Sequence, residues 1–141
     1  MPELFPGLRV TVPSTHIDMF GHVNHARYLE YMEWARFAWA AHGGQPIPAM
    51  VERGFGPAIL RAEVHYRREC LLGDELLVGV EPLSARRSIG RLRQRIVLVS
   101  SGEVACEATM TFAMIDLKAR RVAGLPEVFL GQLPEPEGRR E

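Results

Sequence analysis

The 141-residue sequence predicts an α+β fold in which one long helix packs against an antiparallel sheet. One observation is a largely apolar segment at residues 24–42, which contains no Gly or Pro and is long enough for a helix. The other is a series of four strand patterns after it, of which those at 58–68 and 103–116 alternate clearly between apolar and polar side chains. An antiparallel sheet with one apolar face needs a cover, and this helix is the only element able to supply it. We expect a single domain spanning residues 1–141.

The predicted helix has clear signals at both ends. Asn24 is a favourable N-cap, because its side-chain oxygen can accept a hydrogen bond from a backbone N–H of the first turn. Gly43 and Gly44 supply the stop. Apolar side chains cover most of the circumference, so we expect the helix to be buried, whereas its charged residues are too many for a membrane span.

The segments around this helix are shorter. A β-rich segment at 8–12 ends at Pro13, and a loop at 14–23 leads into the helix. A Gly- and Pro-rich connection at 45–57 follows, with a helical turn near 49–52.

The second half of the chain is predicted to be strands. Their expected ranges are 58–68, 75–83, 86–100 and 103–116. The tail from Ala123 has a short helix after Pro126, and from about residue 134 we expect it to be frayed.

Composition excludes several classes of function. The 17 basic and 17 acidic residues balance, so nothing in the net charge favours nucleic acid or an anionic membrane. Cys70 and Cys106 are too few for a disulfide framework or a metal cluster, and they suit a reducing compartment. The N-terminus lacks a signal-peptide pattern, and no apolar run reaches transmembrane length. We expect a cytoplasmic protein without a metal site.

A polar cluster precedes the helix. Asp18 lies six residues before the N-cap, with Gly21 between them to let the loop fold back. A carboxylate near a helix N-terminus is favoured whether or not it does chemistry. The residues alone therefore leave two interpretations of Asp18 open, a turn-former and a catalytic carboxylate.

The first turn of the helix also has two interpretations. Asn24 is explained as a cap, but the N–H groups of His25 and Ala26 point out of the helix end and could hold a developing oxyanion. His22 and His25 are either acid–base groups or ordinary polar contacts. No further His, Cys or acidic residue lies at metal-ligand spacing.

Two charged stretches complete the candidates. Residues 27–36 carry a charge at every third position, which indicates either ion pairs on an exposed stripe or a stripe that faces a pocket or second subunit. Residues 86–95 contain five arginines and no acid. These either pair with glutamates of neighbouring strands or, at Arg86, Arg87 and Arg91, hold the phosphates of a ligand.

The chain reads Asp18-x-x-Gly21-His-Val-Asn24-His-x-x-Tyr28, continuing to Glu33-Trp-Ala-Arg36. Weaker matches follow at Tyr66-Arg-Arg, Leu72-Gly-Asp-Glu75, Ser88, Ala108-Thr-Met-Thr111 and Asp116. This set resembles hotdog-fold acyl-CoA thioesterases of the 4-hydroxybenzoyl-CoA thioesterase type over nearly the whole chain. The resemblance implies a five-stranded antiparallel sheet wrapped around one long central helix. It also implies edge-to-edge dimers with active sites at the interface, which often associate into tetramers.

The resemblance also implies roles for residues. Asp18 would be the catalytic carboxylate, attacking the thioester or activating water, and the backbone N–H of His25 would polarise the thioester carbonyl. Asn24 would hold the start of the helix. We expect substrate contacts from Gly21, His22, Tyr28 and Glu33, although Tyr28 is an equally good core residue. Glu69-Cys70 departs from the family, which usually has a proline before Leu-Gly-Asp.

The leading hypothesis is a cytoplasmic, homo-oligomeric acyl-CoA thioesterase, a dimer or a dimer of dimers, that needs no cofactor. Two alternatives stay open: a hotdog enoyl-CoA hydratase with Asp18 and His22 as its acid–base pair, and an inactive acyl-thioester-binding dimer. The spacing from Asp18 to His22 fits the hydratase poorly, and the intact motif argues against an inactive protein.

Overall fold

The computed structural model describes residues 4–133. The predicted helix is α1, His25–His42, and two shorter helices are α2, Ile47–Glu52, and α3, Glu127–Leu130. The strands are β1 Leu8–Thr11, β2 Phe55–Tyr66, β3 Glu75–Val78, β4 Glu81–Arg86, β5 Ile89–Leu98, β6 Val104–Asp116 and β7 Arg121–Ala123. A 3₁₀ turn at Ser14–His16 follows β1. The tail that was expected to be frayed, from about residue 134, lies outside the described residues.

One antiparallel sheet holds all of these strands. Its main path runs β1–β3–β5–β6–β2, with β4 also paired to β5 and β7 to β6. The expected five strands are thus present, and two short ones are added. The strand predicted at 75–83 is divided into β3 and β4. The break falls at Gly79 and Val80, and the pairing of β4 with β5 shifts register after Pro82, which has no N–H to donate.

Strand β2 forms one edge of the main path. It begins at Phe55, three residues before the predicted start, because Phe55 already pairs with Asp116 of β6. The register shifts between Ile59 and Arg61, so Leu60 is an extra residue in a β-bulge. Much of the strand is exposed, including Ile59, Leu60 and Tyr66. An exposed edge with apolar side chains is suited to pairing with another chain.

Helix α1 lies across the sheet and begins and ends as predicted. Asn24 is its N-cap, and the side-chain oxygen accepts a hydrogen bond from the N–H of Ala26 over 2.9 Å. The buried residues are Tyr28, Tyr31, Met32 and Ala35. The expectation of burial around most of the circumference is wrong for the single chain. One sheet covers one side only, and Leu29, Trp34 and Phe37 stay 38%, 42% and 44% exposed.

Gln94 joins the helix to the sheet from inside the core. Its Nε2 donates to the carbonyl of Met32 over 2.9 Å and to that of Gly79 over 3.4 Å. Its Oε1 accepts from Arg36 Nη1 over 2.9 Å. This fully buried amide is therefore satisfied on both sides, as buried polar groups in folded proteins usually are.

None of the helices within residues 4–133 has both the length and the apolar character needed to cross a membrane.

Candidate active site

The segment before α1 is a tight hairpin. The N–H of Asp18 donates to the carbonyl of His22 over 3.0 Å, and the N–H of Asn24 donates to the carbonyl of His16 over 3.0 Å. Gly21 closes the turn with a φ of +89°, a conformation that residues with a Cβ adopt with strain. The hairpin therefore returns Asp18 to the N-terminus of the helix.

The Asp18 carboxylate is half-buried and held from two directions. Its Oδ1 accepts a hydrogen bond from the N–H of Phe20 over 2.9 Å. Its Oδ2 lies 3.5 Å from the amide nitrogen of Asn24, a long contact. One oxygen is thus fixed by the turn, and the other is loosely held beside the N-cap of α1.

The capping pattern leaves one backbone donor open. The N–H of Ala26 donates to the Asn24 side chain, and the N–H of Arg27 donates to the Asn24 carbonyl over 2.9 Å. For the N–H of His25, the structure describes no acceptor within residues 4–133. Of the two N–H groups expected to be free, Ala26 is therefore capped and His25 is the open one.

Tyr66 is part of this site and was not identified from the sequence. Its hydroxyl donates to the carbonyl of His25 over 3.1 Å, and its ring packs against Tyr28 at a centroid distance of 5.4 Å. In the sequence, Tyr66 was noted only as the start of the weak Tyr66-Arg-Arg match, which assigned it no role in the site. Tyr66 fixes the peptide that follows the open N–H of His25.

The remaining candidates near the helix start have different surroundings. His22 lies beside the ring of Phe20, with Nδ1 3.4 Å from the carbonyl of Val23. Tyr28 is buried, and its hydroxyl donates to the carbonyl of Arg68 over 3.5 Å. Burial raises the pKa of the Tyr28 hydroxyl. Tyr28 therefore packs as a core residue, and a role for it in substrate contact stays a prediction.

A cavity of about 410 Å³ lies farther along α1. Its walls come from the second half of α1, from α2, from the first residues of β2 and from Phe112 and Phe129. Most lining side chains are apolar, and Glu33 and Arg36 are the charged ones. Glu33 follows His25 by eight residues, which is about 12 Å along the helix. Glu33 therefore lies at the cavity and away from Asp18.

One side of β2 connects the helix start to this cavity. Strand β2 pairs with β6, whose residues Cys106, Ala108, Met110, Phe112 and Met114 are buried. Their partners on the same face are Tyr66, Val64, Ala62, Ile59 and Pro57. Tyr66 contacts His25 at one end, and Ile59 and Pro57 line the cavity at the other. A partly exposed, mainly apolar track therefore runs between the two.

The three candidate arginines lie together but far from Asp18. Arg86, Arg87 and Arg91 line one open depression of about 380 Å³ at the β4–β5 hairpin. No ion pair of these three is described within residues 4–133. The β4–β5 hairpin lies near Phe112 of β6, whereas residues 67–68 bond Ala105, and two residues later the carbonyl of Cys70 bonds the Asp18 hairpin at Val23. These positions on β6 are seven residues apart, roughly 23 Å.

Their neighbours on the outer face of the sheet are paired. Arg93 contacts Glu81 over 3.2 Å, and Arg95 contacts Glu107 over 2.7 Å. Pairing across strands is thus confirmed for these two arginines. Arg91 lies on the same face without such a partner among the described residues, so it keeps its charge available for a ligand.

The charged stripe of α1 was expected either to form exposed ion pairs or to face a pocket, and each interpretation holds for part of it. Arg27 and Glu30 form an exposed ion pair over 2.8 Å. Glu33 and Arg36 line the cavity, and the Arg36 guanidinium bonds Gln94. Burial lowers the pKa of Arg36.

Metal-binding geometry is absent from the described part of the chain. No group of three or more His, Cys, Asp or Glu side chains within residues 4–133 is arranged to hold an ion. Cys70 and Cys106 are buried free thiols, and burial raises the pKa of both, to about 12 for Cys106. Their thiolate forms are therefore scarce at neutral pH.

Comparisons with known proteins give matches over most of the chain. Residues 12–133 match a family model described as "Thioesterase-like superfamily". The chain is 31% identical to the long-chain acyl-CoA thioesterase FadM of Escherichia coli (strain K12), over 83% of this chain and 88% of that protein.

Solved structures also match most of this chain. The YbaW probable thioesterase from Escherichia coli has 29% identity and a TM-score of 0.77, covering 91% of this chain and 98% of that one. Slr0204, a 1,4-dihydroxy-2-naphthoyl-CoA thioesterase from Synechocystis, shares the fold at 19% identity and a TM-score of 0.81, covering 92% and 96%. The predicted hotdog fold is confirmed.

Proposed function

This chain belongs to the thioesterase-like superfamily, and we propose on that basis that it hydrolyses an acyl-CoA thioester to a free acid and CoA. The observation that carries the proposal is that the Asp18 carboxylate contacts Asn24, the N-cap of α1, at the same helix N-terminus where the N–H of His25 has no described acceptor within residues 4–133. Acyl transfer to water needs a carboxylate that acts as base or nucleophile and a hydrogen-bond donor that stabilises the developing oxyanion.

The proposed chemistry follows from these two groups. The thioester carbonyl oxygen accepts a hydrogen bond from the His25 N–H, where the helix dipole stabilises the charge that develops on it. Asp18 either removes a proton from the attacking water or attacks the carbonyl carbon itself, and the CoA thiolate leaves. In the second case water then hydrolyses the acyl-enzyme anhydride. One backbone donor of this kind contributes about 3–4 kcal/mol in other acyl-transfer enzymes. Both routes use water as the only co-reactant, so we propose that no cofactor takes part.

For the acyl group we propose an extended aliphatic chain. The track from Tyr66 to Pro57 spans ten residues of strand, roughly 30 Å, and ends in a cavity lined mainly by apolar side chains. A linear chain would bury its methylenes along this length. The similarity to a protein named as a long-chain acyl-CoA thioesterase supports the same class.

We propose that the enzyme is a homodimer joined through the edge of β2, alone or as half of a tetramer. A second copy could cover the exposed side chains of β2 together with the exposed apolar residues of α1, since Ile59 and Phe37 line the same cavity. Antiparallel pairing of two β2 edges would bring the Arg86, Arg87 and Arg91 depression of one copy toward the Asp18 end of the other. Three arginines without described ion pairs would suit the phosphates of CoA. The two buried free thiols support a cytoplasmic location.

The test is thioester hydrolysis across a panel of acyl-CoAs, with released thiol as the readout. The wild type should hydrolyse at least one chain length, and Asp18→Asn should lose at least 100-fold in kcat. Full activity in Asp18→Asn would exclude Asp18 as the catalytic group. Loss of enoyl absorbance from crotonyl-CoA without thiol release would instead indicate a hydratase. Binding of CoA without turnover of any substrate would indicate an inactive binding protein.

A further inference from the structure

Residues 16–18 form the arm of the hairpin that carries Asp18, and His16 connects this arm to the body of helix α1 through Tyr31, with the ring of Trp34 also nearby at a centroid distance of 6.2 Å. His16 Nδ1 lies 2.7 Å from the hydroxyl oxygen of Tyr31, and the two rings stack at a centroid distance of 5.5 Å. Within residues 4–133, this is the only described side-chain hydrogen bond between residues 16–18 and α1. The arm that carries Asp18 is therefore tied to the second turn of the helix at this point.

Tyr31 is a firm anchor for that link. Its side chain is fully buried, and its ring packs against Tyr28 and Trp34 at centroid distances of 6.4 and 5.4 Å. Burial raises the pKa of the Tyr31 hydroxyl to about 12, so the hydroxyl keeps its proton at neutral pH and can donate to a neutral imidazole. An imidazolium would donate in the other direction, so the contact survives in either protonation state of His16.

The backbone passes this restraint on to Asp18. The carbonyl of His16 accepts the N–H of Asn24, and Ile17 forms a β-bridge with Val23. Asp18 comes next, and its carboxylate contacts Asn24. A shift of His16 would therefore move Asp18 relative to the N-cap, and so relative to the open N–H of His25.

We propose that His16 is a positioning residue, which holds the Asp18 carboxylate in register with the helix N-terminus through its hydrogen bond to Tyr31. The proposal rests on the proposed thioesterase function for its kinetic consequence. Its geometric consequence, that the His16 imidazole adds to the backbone bonds that hold the hairpin against α1, does not depend on the reaction. Misplacing a catalytic group by about 1 Å can cost a large factor in rate without changing how tightly substrate binds.

Two substitutions at residue 16 separate the hydrogen bond from the ring contact. His16→Phe keeps an aromatic ring against Tyr31 and loses the hydrogen bond. His16→Asn keeps a polar atom near the position of Nδ1 and loses the ring. Tyr31→Phe removes only the hydroxyl from the other side, and Thr15→Ala is the control, an exposed neighbour in the same 3₁₀ turn.

The kinetic test uses the acyl-CoA that the wild type hydrolyses fastest. We expect His16→Phe and Tyr31→Phe each to lower kcat about tenfold with KM within twofold of wild type. The double variant should lose no more kcat than either single variant. His16→Asn should regain at least half of the kcat that His16→Phe loses. Wild-type kcat in both single variants, or equal losses in His16→Asn and His16→Phe, would overturn the proposal. Thr15→Ala should match wild type.

The geometric test uses no substrate. Amide hydrogen exchange at Asp18 and Asn24 should become at least tenfold faster in His16→Phe, while amides of β5 and β6 keep their protection. Unchanged exchange at Asp18 and Asn24 would overturn the proposal even in an active enzyme. If the wild type hydrolyses no thioester, the proposed function fails, and this measurement still decides whether His16 holds the hairpin.

Discussion

The Tyr66 hydroxyl donates a hydrogen bond to the backbone carbonyl of His25 over 3.1 Å. This bond joins the last residue of β2 to the first residue of α1, which are 41 positions apart in the chain. The carbonyl of His25 belongs to the peptide after the one that carries the open N–H. Strand β2 therefore forms an edge of the sheet and also holds the peptide next to the proposed oxyanion site.

Replacing Tyr66 by Phe tests this support. We expect kcat to fall about three- to tenfold, because a hydrogen bond of this kind contributes about 0.5–1.5 kcal/mol and its loss frees the His25 peptide. KM should change little, since the apolar ring stays in place. Steady-state kinetics and a thermal melt are the measurements. A large drop in Tm with unchanged kcat in the folded fraction would mean that the bond serves stability alone.

Substitutions of Asn24 separate capping from positioning of Asp18. Asn24→Ala removes the acceptor for the Ala26 N–H and should destabilise the protein by about 1 kcal/mol, within the 0.5–2 range for lost caps. Asn24→Asp keeps a capping oxygen but replaces the amide beside Asp18 by a second carboxylate. It should fold with near wild-type stability and lose activity. Urea unfolding measures stability, and thiol release measures activity. If Asn24→Ala and Asn24→Asp lost the same activity and had the same stability, this separation would be wrong.

Phe129 is expected to limit the length of the acyl chain. Its buried ring lines the cavity and meets Phe112 edge-on at 5.2 Å. Phe129→Leu leaves the wall apolar but smaller, so the ratio of kcat/KM for longer over shorter acyl-CoAs should rise severalfold. Leu130→Ala is the control, because Leu130 is a partly exposed neighbour on the same short helix. An unchanged ratio would show that this cavity does not receive the acyl chain.

Glu107 should make stability depend on pH in the acid range. Hydrogen bonds and charge from Arg95, and then from Arg67, hold the pKa of its carboxyl below the ordinary value of 4.5. The folded state therefore binds this proton less readily than the unfolded state. The stabilisation is complete above the unfolded-state pKa and is lost as pH falls through the lower folded-state pKa.

Chemical unfolding of wild type and Glu107→Gln between pH 3 and pH 7 tests this expectation. The difference in the free energy of unfolding should be largest near neutral pH and should shrink as the solution is acidified. High salt should also reduce it, because the pair with Arg95 is partly exposed. A difference that is constant with pH would mean that the ion pairs contribute nothing measurable.

The parts of the fold that could be predicted from the sequence are set by residues that lie close together in the chain. The bounds of α1 follow from Asn24 and Gly43, which act within one turn of the helix ends. The start of β2 was missed because Gly56 and Pro57 usually argue against a strand. Pro57 is compatible with this strand because β2 lies at an edge, which is a property of the assembled sheet.

The same distinction holds at the candidate site. Asp18, Asn24 and His25 lie within eight consecutive residues, so one motif contains them and one hairpin brings them together. The contacts of Tyr66 with His25 and of His16 with Tyr31 span 41 and 15 residues. No periodicity indicates which distant side chain will reach a given backbone group, so these two contacts required the structure.

The bulge at Leu60 sets which length changes β2 can tolerate. Because Leu60 is the unpaired extra residue, deleting it would make the pairing with β6 regular and keep Ala62 and Ile59 on the helix-facing side. Deleting one residue between Ala62 and Tyr66 would instead turn the rest of that strand over relative to β6. Natural variants of this chain that differ by one residue in β2 should therefore carry the gap at the bulge.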